Sequence, residues 1–309
     1  MKCGSSEEVY MKKNTAIQAS RGDRVYYTVI TAISVFVLIA VLYPLIYVLS
    51  SSFSSGTAVT SGKVVLWPVN LSVQGYKVIL NNHSVGVGYY NTLVNTLIGT
   101  VMGLAFTVMM AYPLSRKNLH GRTFLMVLWV IPMFFYSGMI PTYILKTRLH
   151  IVNTRWAVIQ VGMITTYNLT IVRSFFENNI PKDLYEASCI DGISDIGYLV
   201  KIVLPLSKSV LAVITLYLAV SYWNNYFQAM IYLRNPDLKT LPLVLREILN
   251  ASQVNLTDYS DPEIMQQMQE AAGVMKYALI VVSTAPLMIA YTFVQKFFDK
   301  GIMIGAIKG

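Results

Sequence analysis

An all-α protein that crosses a membrane several times is the fold this sequence predicts, and three observations predict it. Apolar residues make up 55% of the 309-residue chain, and charged residues only 13%. The apolar residues come in six blocks, about 25–50, 88–114, 123–144, 156–172, 209–233 and 277–295, each free of Lys, Arg, Asp and Glu. Each block approaches the roughly 20 residues that cross about 30 Å of hydrocarbon. Six helices, each satisfying its own backbone groups within lipid, are therefore expected.

The first helix is expected from Val25 to about Ser50, with Pro44 near its outer end as a kink. A stretch rich in Ser, Gly and Asn follows, from Ser51 to His83, carrying Trp67-Pro68 and Asn70. Asn91 to Thr96 opens the second helix and Tyr112-Pro113-Leu114-Ser115-Arg116 closes it. Ile131-Pro132 breaks the third, where neighbouring helices can take up the freed carbonyl. The fourth block is the shortest. The fifth helix begins after Lys208 and contains Ser221-Tyr222-Trp223-Asn224-Asn225-Tyr226-Phe227. A long outer loop from Arg234 to Gly273 precedes Lys276-Tyr277-Ala278, which opens the sixth.

Between the fourth and fifth blocks the chain reads EASCIDGISDIGYLVKIVLP, from Glu186 to Pro205. Glu186, Asp191, Asp195 and Lys201 would be costly in hydrocarbon, so this segment belongs in water. Its local grammar predicts two short helices with a sharp turn. Pro181 suits a first helical turn, Gly192 a C-terminal turn position, and Ser194 can cap the next helix. Pro205 then stops that helix and directs the chain back to the bilayer.

Orientation follows from Lys and Arg, which favour the cytoplasmic side. With the N-terminus inside, the inner segments carry roughly twice as many as the outer ones. Lys146, Arg148 and Arg155 in one short outer loop argue the other way. The net charge of +9 thus reads as a topology signal. No clustered basic run marks a nucleic-acid partner. Residues 1–24 mix acidic and basic groups and read as a cytoplasmic tail; no apolar core before a small-residue cleavage site suggests a signal peptide. Cys3 and Cys189 fall on the cytoplasmic side, reduced, so no disulfide framework is expected.

The order Glu-Ala-small, three residues, Gly, nine residues, Ile-x-Leu-Pro resembles the cytoplasmic coupling loop of ABC importer permeases. Here the positions are Glu186, Ala187, Ser188, Gly192, Ile202, Leu204 and Pro205, with Ser188 in place of a second Ala. The ends of the second helix resemble the sugar-permease branch. The ending Gln295-Lys296-Phe297-Phe298, then Lys300 to Gly309, resembles the LplC and maltose-G-like branch for carbohydrates. The resemblance covers the chain from about residue 25 onward and implies a type I permease fold. It divides the chain into a tail (1–24), a transmembrane domain (25–296, with coupling loop 177–207 and outer loop 234–273) and a cytoplasmic tail (297–309).

The resemblance further implies a multi-pass protein of the bacterial plasma membrane, with membrane lipid around it and both termini in the cytoplasm. It implies an ABC ATPase dimer, a second permease subunit and an extracytoplasmic solute-binding protein as partners. Glu186, Ala187, Ser188, Asp191, Gly192 and Pro205 would couple to the ATPase, with Glu186 meeting a basic residue there. Leu184, Ala187 and Ser188 share a helical face through i, i+3, i+4 spacing; the plain alternative is a surface helix packed on the bundle. The tail residues Gly305, Lys308 and Gly309 would reach between ATPase subunits. Gly301, Gly305 and Gly309 read as a poor helix. The loop 234–273 would meet the binding protein.

Tyr222, Trp223, Asn224 and Asn225 are candidates for a sugar pathway, since aromatic faces and amides suit hydroxylated solutes. Helix-to-helix glue is an equal reading for them. Asn91 and Asn95 read as glue, while Tyr167 and Asn168 stay open. The apolar blocks hold no charge for a coupled ion, which places the energy source outside the bilayer. No catalytic constellation, cofactor motif or metal-ligand spacing appears: His83, His120 and His150 lie apart, and no GxxxxGK[ST] loop is present. The chain is therefore not expected to be an enzyme. Alternatives are a permease for another neutral or peptide-like solute, and a non-transporting subunit that senses substrate.

Overall fold

The computed structural model describes residues 21–135, 137–254 and 262–306, all helix or loop, with no strand among them. The chain divides into two units, 1–47 and 48–309. Described residues of the first belong to helix α1 (Arg21–Ser52), which contains Pro44. Its side chains from Val25 to Leu45 are exposed and overwhelmingly apolar, a surface suited to lipid rather than water.

The second unit begins with a serine-rich corner. Ser50, Ser51, Ser52 and Ser54 are buried there, and the Ser50 hydroxyl donates to the Leu66 carbonyl at 2.6 Å. Two short helices follow, α2 (Gly56–Thr60) and α3 (Gln74–Leu80). The long α4 (His83–Ser115) then forms the centre of the bundle. Next come α5 (Arg122–Phe134), α6 (Met139–Arg148), α7 (Trp156–Ile159) and α8 (Thr166–Asn179).

The segment between the fourth and fifth apolar blocks forms α9 (Asp183–Ile190), α10 (Asp195–Tyr198), a π-helical turn (Leu199–Val203) and α11 (Leu204–Leu206). Then follow α12 (Lys208–Trp223), α13 (Tyr226–Tyr232), α14 (Leu241–Val254) and α15 (Pro262–Ala306).

The main core joins α4, α8 and α12 through Ala111, Leu169, Val172, Ile214 and Leu218. Small residues on α4 allow the close approach. A Cβ at Gly99 would fall 2.5 Å from the Tyr222 ring, and one at Gly103 would fall 2.9 Å from the Met163 carbonyl oxygen. A second cluster unites α3, α4, α14 and α15 around Ile79, Leu241, Ala278 and Leu279.

Three helical stretches among the described residues are long and apolar enough to span: Gly22–Ser52, His83–Ser115 and Glu270–Phe293. Two bent pairs raise the number to five if each is one span, α5 with α6 at 114° and Asp195–Leu206 with α12 at 82°. The fourth apolar block forms no continuous helix. It divides between α7 and α8, with Gly162 at φ +75° in the gap.

Other boundaries move as well. The fifth block breaks at Asn224–Asn225, because Asn225 leaves helical geometry at ψ 76°. Pro205 does not stop its helix. It cannot donate to the Lys201 carbonyl, and the ladder widens to the i→i+5 spacing as Leu204 N–H bonds the Leu199 carbonyl. The helix runs one residue further and the chain turns at Ser207. The expected outer loop 234–273 is largely helical, since α14 and the start of α15 fall within it. The sixth helix opens at Pro262, well before Lys276. Its other end continues through Gly301 and Gly305 to Ala306, so those glycines stand in helix rather than in an irregular strip. Residues 1–20, Lys308 and Gly309 lie outside the described residues.

Candidate functional site

The water-side segment 177–207 takes the predicted turn. Gly192 sits at φ +71°, a conformation that side-chain-bearing residues rarely adopt. Ser194 caps α10, its hydroxyl accepting from the Gly197 N–H at 3.2 Å. Lys182 flanks α9, with Pro181 just before it.

The two faces of this segment differ sharply. Tyr198 is 1% exposed, and the Tyr185 ring meets it edge-on at 5.3 Å. Ser188 is 2% exposed, and its hydroxyl donates to the Tyr185 carbonyl at 2.7 Å. Ser188 therefore faces the bundle and leaves the outward face expected of it with Leu184 and Ala187. That outward face consists of Leu184, Glu186, Ala187 and Asp191, all exposed. Ile190 is 88% and Ile196 76% exposed. Large apolar side chains open to solvent on a charged segment mark a surface built to be covered.

Beneath it, α4 ends in a web of cations. Arg122 Nε and Arg173 Nε both donate to the Leu114 carbonyl, at 2.9 and 3.1 Å, capping the end of α4. Both guanidinium groups also pair with the Glu177 carboxylate, at 2.8 and 2.7 Å. Burial pushes that carboxyl up, but the Arg122 hydrogen bond and the charges of Arg173, Arg122 and Lys117 outweigh it and hold the pKa below the usual range. Tyr185 donates to Asp195 Oδ1 at 3.2 Å, a bond that raises the phenol's pKa first, with Cys189 adding to it. A cavity of about 570 Å³ opens here, with Arg116, Lys117, Glu177, Lys182 and Glu186 on its walls.

The expected pathway residues separate into two pairs. Tyr222 and Trp223 are buried. Tyr222 donates to the Ile159 carbonyl at 2.7 Å, and Trp223 Nε1 donates to the Ser283 carbonyl at 2.9 Å. Both bonds link helices of this subunit. Asn224 is exposed and Asn225 half-buried, at the break between α12 and α13. Asn91 is also glue: its Nδ2 donates to the Asp237 and Lys239 carbonyls, and its Oδ1 accepts from Arg155. Asn95 is 1% exposed, yet neither side-chain polar atom finds a partner among the described residues. Tyr167 is exposed and Asn168 buried.

Sequence reasoning missed Arg116, Arg122, Arg173 and Glu177 as site residues; Arg116 entered only in the motif that closes the second helix and in the count of basic residues. The i, i+4 spacing of Arg173 and Glu177 was the one local signal available.

A bundle of long apolar helices, with a structured two-helix excursion that exposes large apolar side chains, defines a polytopic membrane protein. The chain belongs to the binding-protein-dependent transport system inner membrane component family, which matches residues 96–304. It is 38% identical over 274 residues to the polygalacturonan/rhamnogalacturonan transport system permease protein YtcP of Bacillus subtilis, covering 89% of this chain and 94% of that one. It is 35% identical over 272 residues to protein LplC of the same organism, covering 87% and 90%. The crystal structure of a bacterial ABC transporter that imports the acidic polysaccharide alginate contains a similar chain. That chain has a TM-score of 0.77 and 34% identity, with 90% of this chain and 98% of that chain covered.

Proposed function

We propose that this chain is the permease subunit of an ATP-driven importer and forms half of the translocation pathway for an oligosaccharide or polysaccharide. An acidic saccharide is the first class to test, because relatives are named for polygalacturonan/rhamnogalacturonan and for alginate import. The reading has six spans, the fourth broken between α7 and α8, and places both termini and segment 177–207 in the cytoplasm. A second permease completes the pathway, a solute-binding protein delivers the solute outside, and a separate ATPase dimer hydrolyses ATP.

The observation that carries this reading is the exposed face of Leu184, Glu186, Ala187, Ile190 and Ile196 on a segment anchored to the core by Tyr198. Apolar contacts supply burial, and Glu186 offers a charge-assisted bond to a basic residue of the ATPase. Asn224 and Asn225 remain candidates for contact with the sugar. ATP drives the cycle by binding the outward-facing state better than the inward-facing one. The test is reconstitution with the partner subunits. Glu186→Lys should leave the protein in the membrane and abolish saccharide-stimulated ATP hydrolysis; stimulation at the wild-type level would refute the docking role.

A further inference from the structure

The guanidinium of Arg116 stands among three tyrosine rings. Its Cζ lies 4.1 Å from the centroid of Tyr185, 4.7 Å from that of Tyr198 and 4.8 Å from that of Tyr112. One of its nitrogens donates to the Tyr112 hydroxyl at 2.8 Å, and that hydroxyl donates to the Asp195 carbonyl at 3.1 Å. The three rings come from different places. Tyr112 is in the last turns of α4, Tyr185 is in α9, and Tyr198 closes α10. Arg116 itself is the C-cap of α4.

We propose that Arg116 is a positioning residue that clamps the α9–α10 excursion to the inner end of α4, making the two move as one body. This rests on the reading of the chain as an ATP-driven permease. The reason is geometric. A planar guanidinium can present faces and edges to several rings at once, which an ammonium cannot do in the same way. The excursion follows α4 in sequence only after α5 to α8, so the chain itself is a long and indirect link. The cage is a direct one. Tyr185 and Tyr198 are committed to Arg116, while Ile190 and Ile196 are exposed to solvent and free for a partner.

The test uses the complete reconstituted complex with its binding protein, carrying Arg116→Gln or Arg116→Lys. Spin labels at exposed positions 109 on α4 and 183 on α9, the latter outside the face proposed for docking, report their separation. In the wild type that separation should stay narrow and unchanged between nucleotide-free and ATP-bound states. With Arg116→Gln the ATPase subunits should still co-purify, but solute moved per ATP should fall by roughly tenfold, the scale set by about 1.4 kcal/mol of lost cation–π contact. The label separation should broaden. Wild-type stoichiometry with an unchanged separation overturns the clamp.

Should Arg116→Gln fail to assemble, Arg116→Lys decides. A lowered yield per ATP supports the clamp, and a wild-type yield overturns it. A wild-type complex that hydrolyses ATP with no saccharide uptake counts against the permease reading and leaves the clamp to be judged on the label separation alone.

Discussion

The ring of Tyr222 occupies the space that a side chain at position 99 would need. A Cβ on Gly99 would lie 2.5 Å from Tyr222 Cζ and 2.6 Å from Cε2. The ring cannot swing away freely, because its hydroxyl is fixed to the Ile159 carbonyl. The contact therefore joins α4, α12 and the end of α7 in one place. Gly99→Ala should cost about 1–3 kcal/mol through overpacking, and Gly99→Val more. A lowered midpoint of thermal unfolding in detergent would show this, whereas an unchanged midpoint would mean the helices separate without penalty.

Glu177 sets an acid limit. Its folded-state pKa lies below the ordinary value of 4.5. The stability contributed by its pairing with Arg122 and Arg173 is therefore present above the unfolded pKa, and it is lost as pH falls through the folded one. Thermal stability should show no Glu177 contribution to pH dependence between neutrality and about pH 5. Below that it should decline, more steeply in the wild type than in Glu177→Gln. Parallel curves for the two proteins would remove Glu177 from the account.

Asn91 holds the turn between α13 and α14. Replacing it with Leu leaves the Asp237 and Lys239 carbonyls and the Arg155 guanidinium each short of a partner. The expected cost is about 1–3 kcal/mol per buried group left unsatisfied, with faster proteolysis between α13 and α14. Equal cleavage rates in the two proteins would contradict it.

Gly192 tests the turn apart from the docking face. At φ +71° a β-branched residue is strained, while Asn tolerates that region. Gly192→Val should abolish uptake, and Gly192→Asn should keep most of it. Equal activity of the two variants would show that the backbone conformation at this position has no part in uptake.

What the sequence determined by itself was compositional or local. Charge-free blocks mark a polytopic membrane protein because hydrocarbon excludes charge along the whole of a span. The Gly192–Ser194 turn was legible because its geometry depends on two residues and their immediate backbone. The break after Pro132 was legible for the same reason, with α5 ending at Phe134. The motif on which the coupling proposal rests is a spacing. Boundaries were not: the helical continuation through Gly301 and Gly305, the π turn before Pro205 and the division of the fourth block depend on ladders and packing that no local preference fixes.

Only the tertiary structure decided which way side chains face and whom they meet. Ser188 shares a helical spacing with Leu184 and Ala187, yet it is buried while they are exposed. Tyr222 and Trp223 had even claims as pathway or glue, and only the fold shows that their donors meet carbonyls of α7 and α15. Arg116 and Tyr198 are separated in the chain by the five helices α5 to α9, but the Arg116 Cζ lies 4.7 Å from the centroid of the Tyr198 ring. Such partners are brought together by burial of the whole bundle, an energy spread over many residues, so no window of sequence carries the signal.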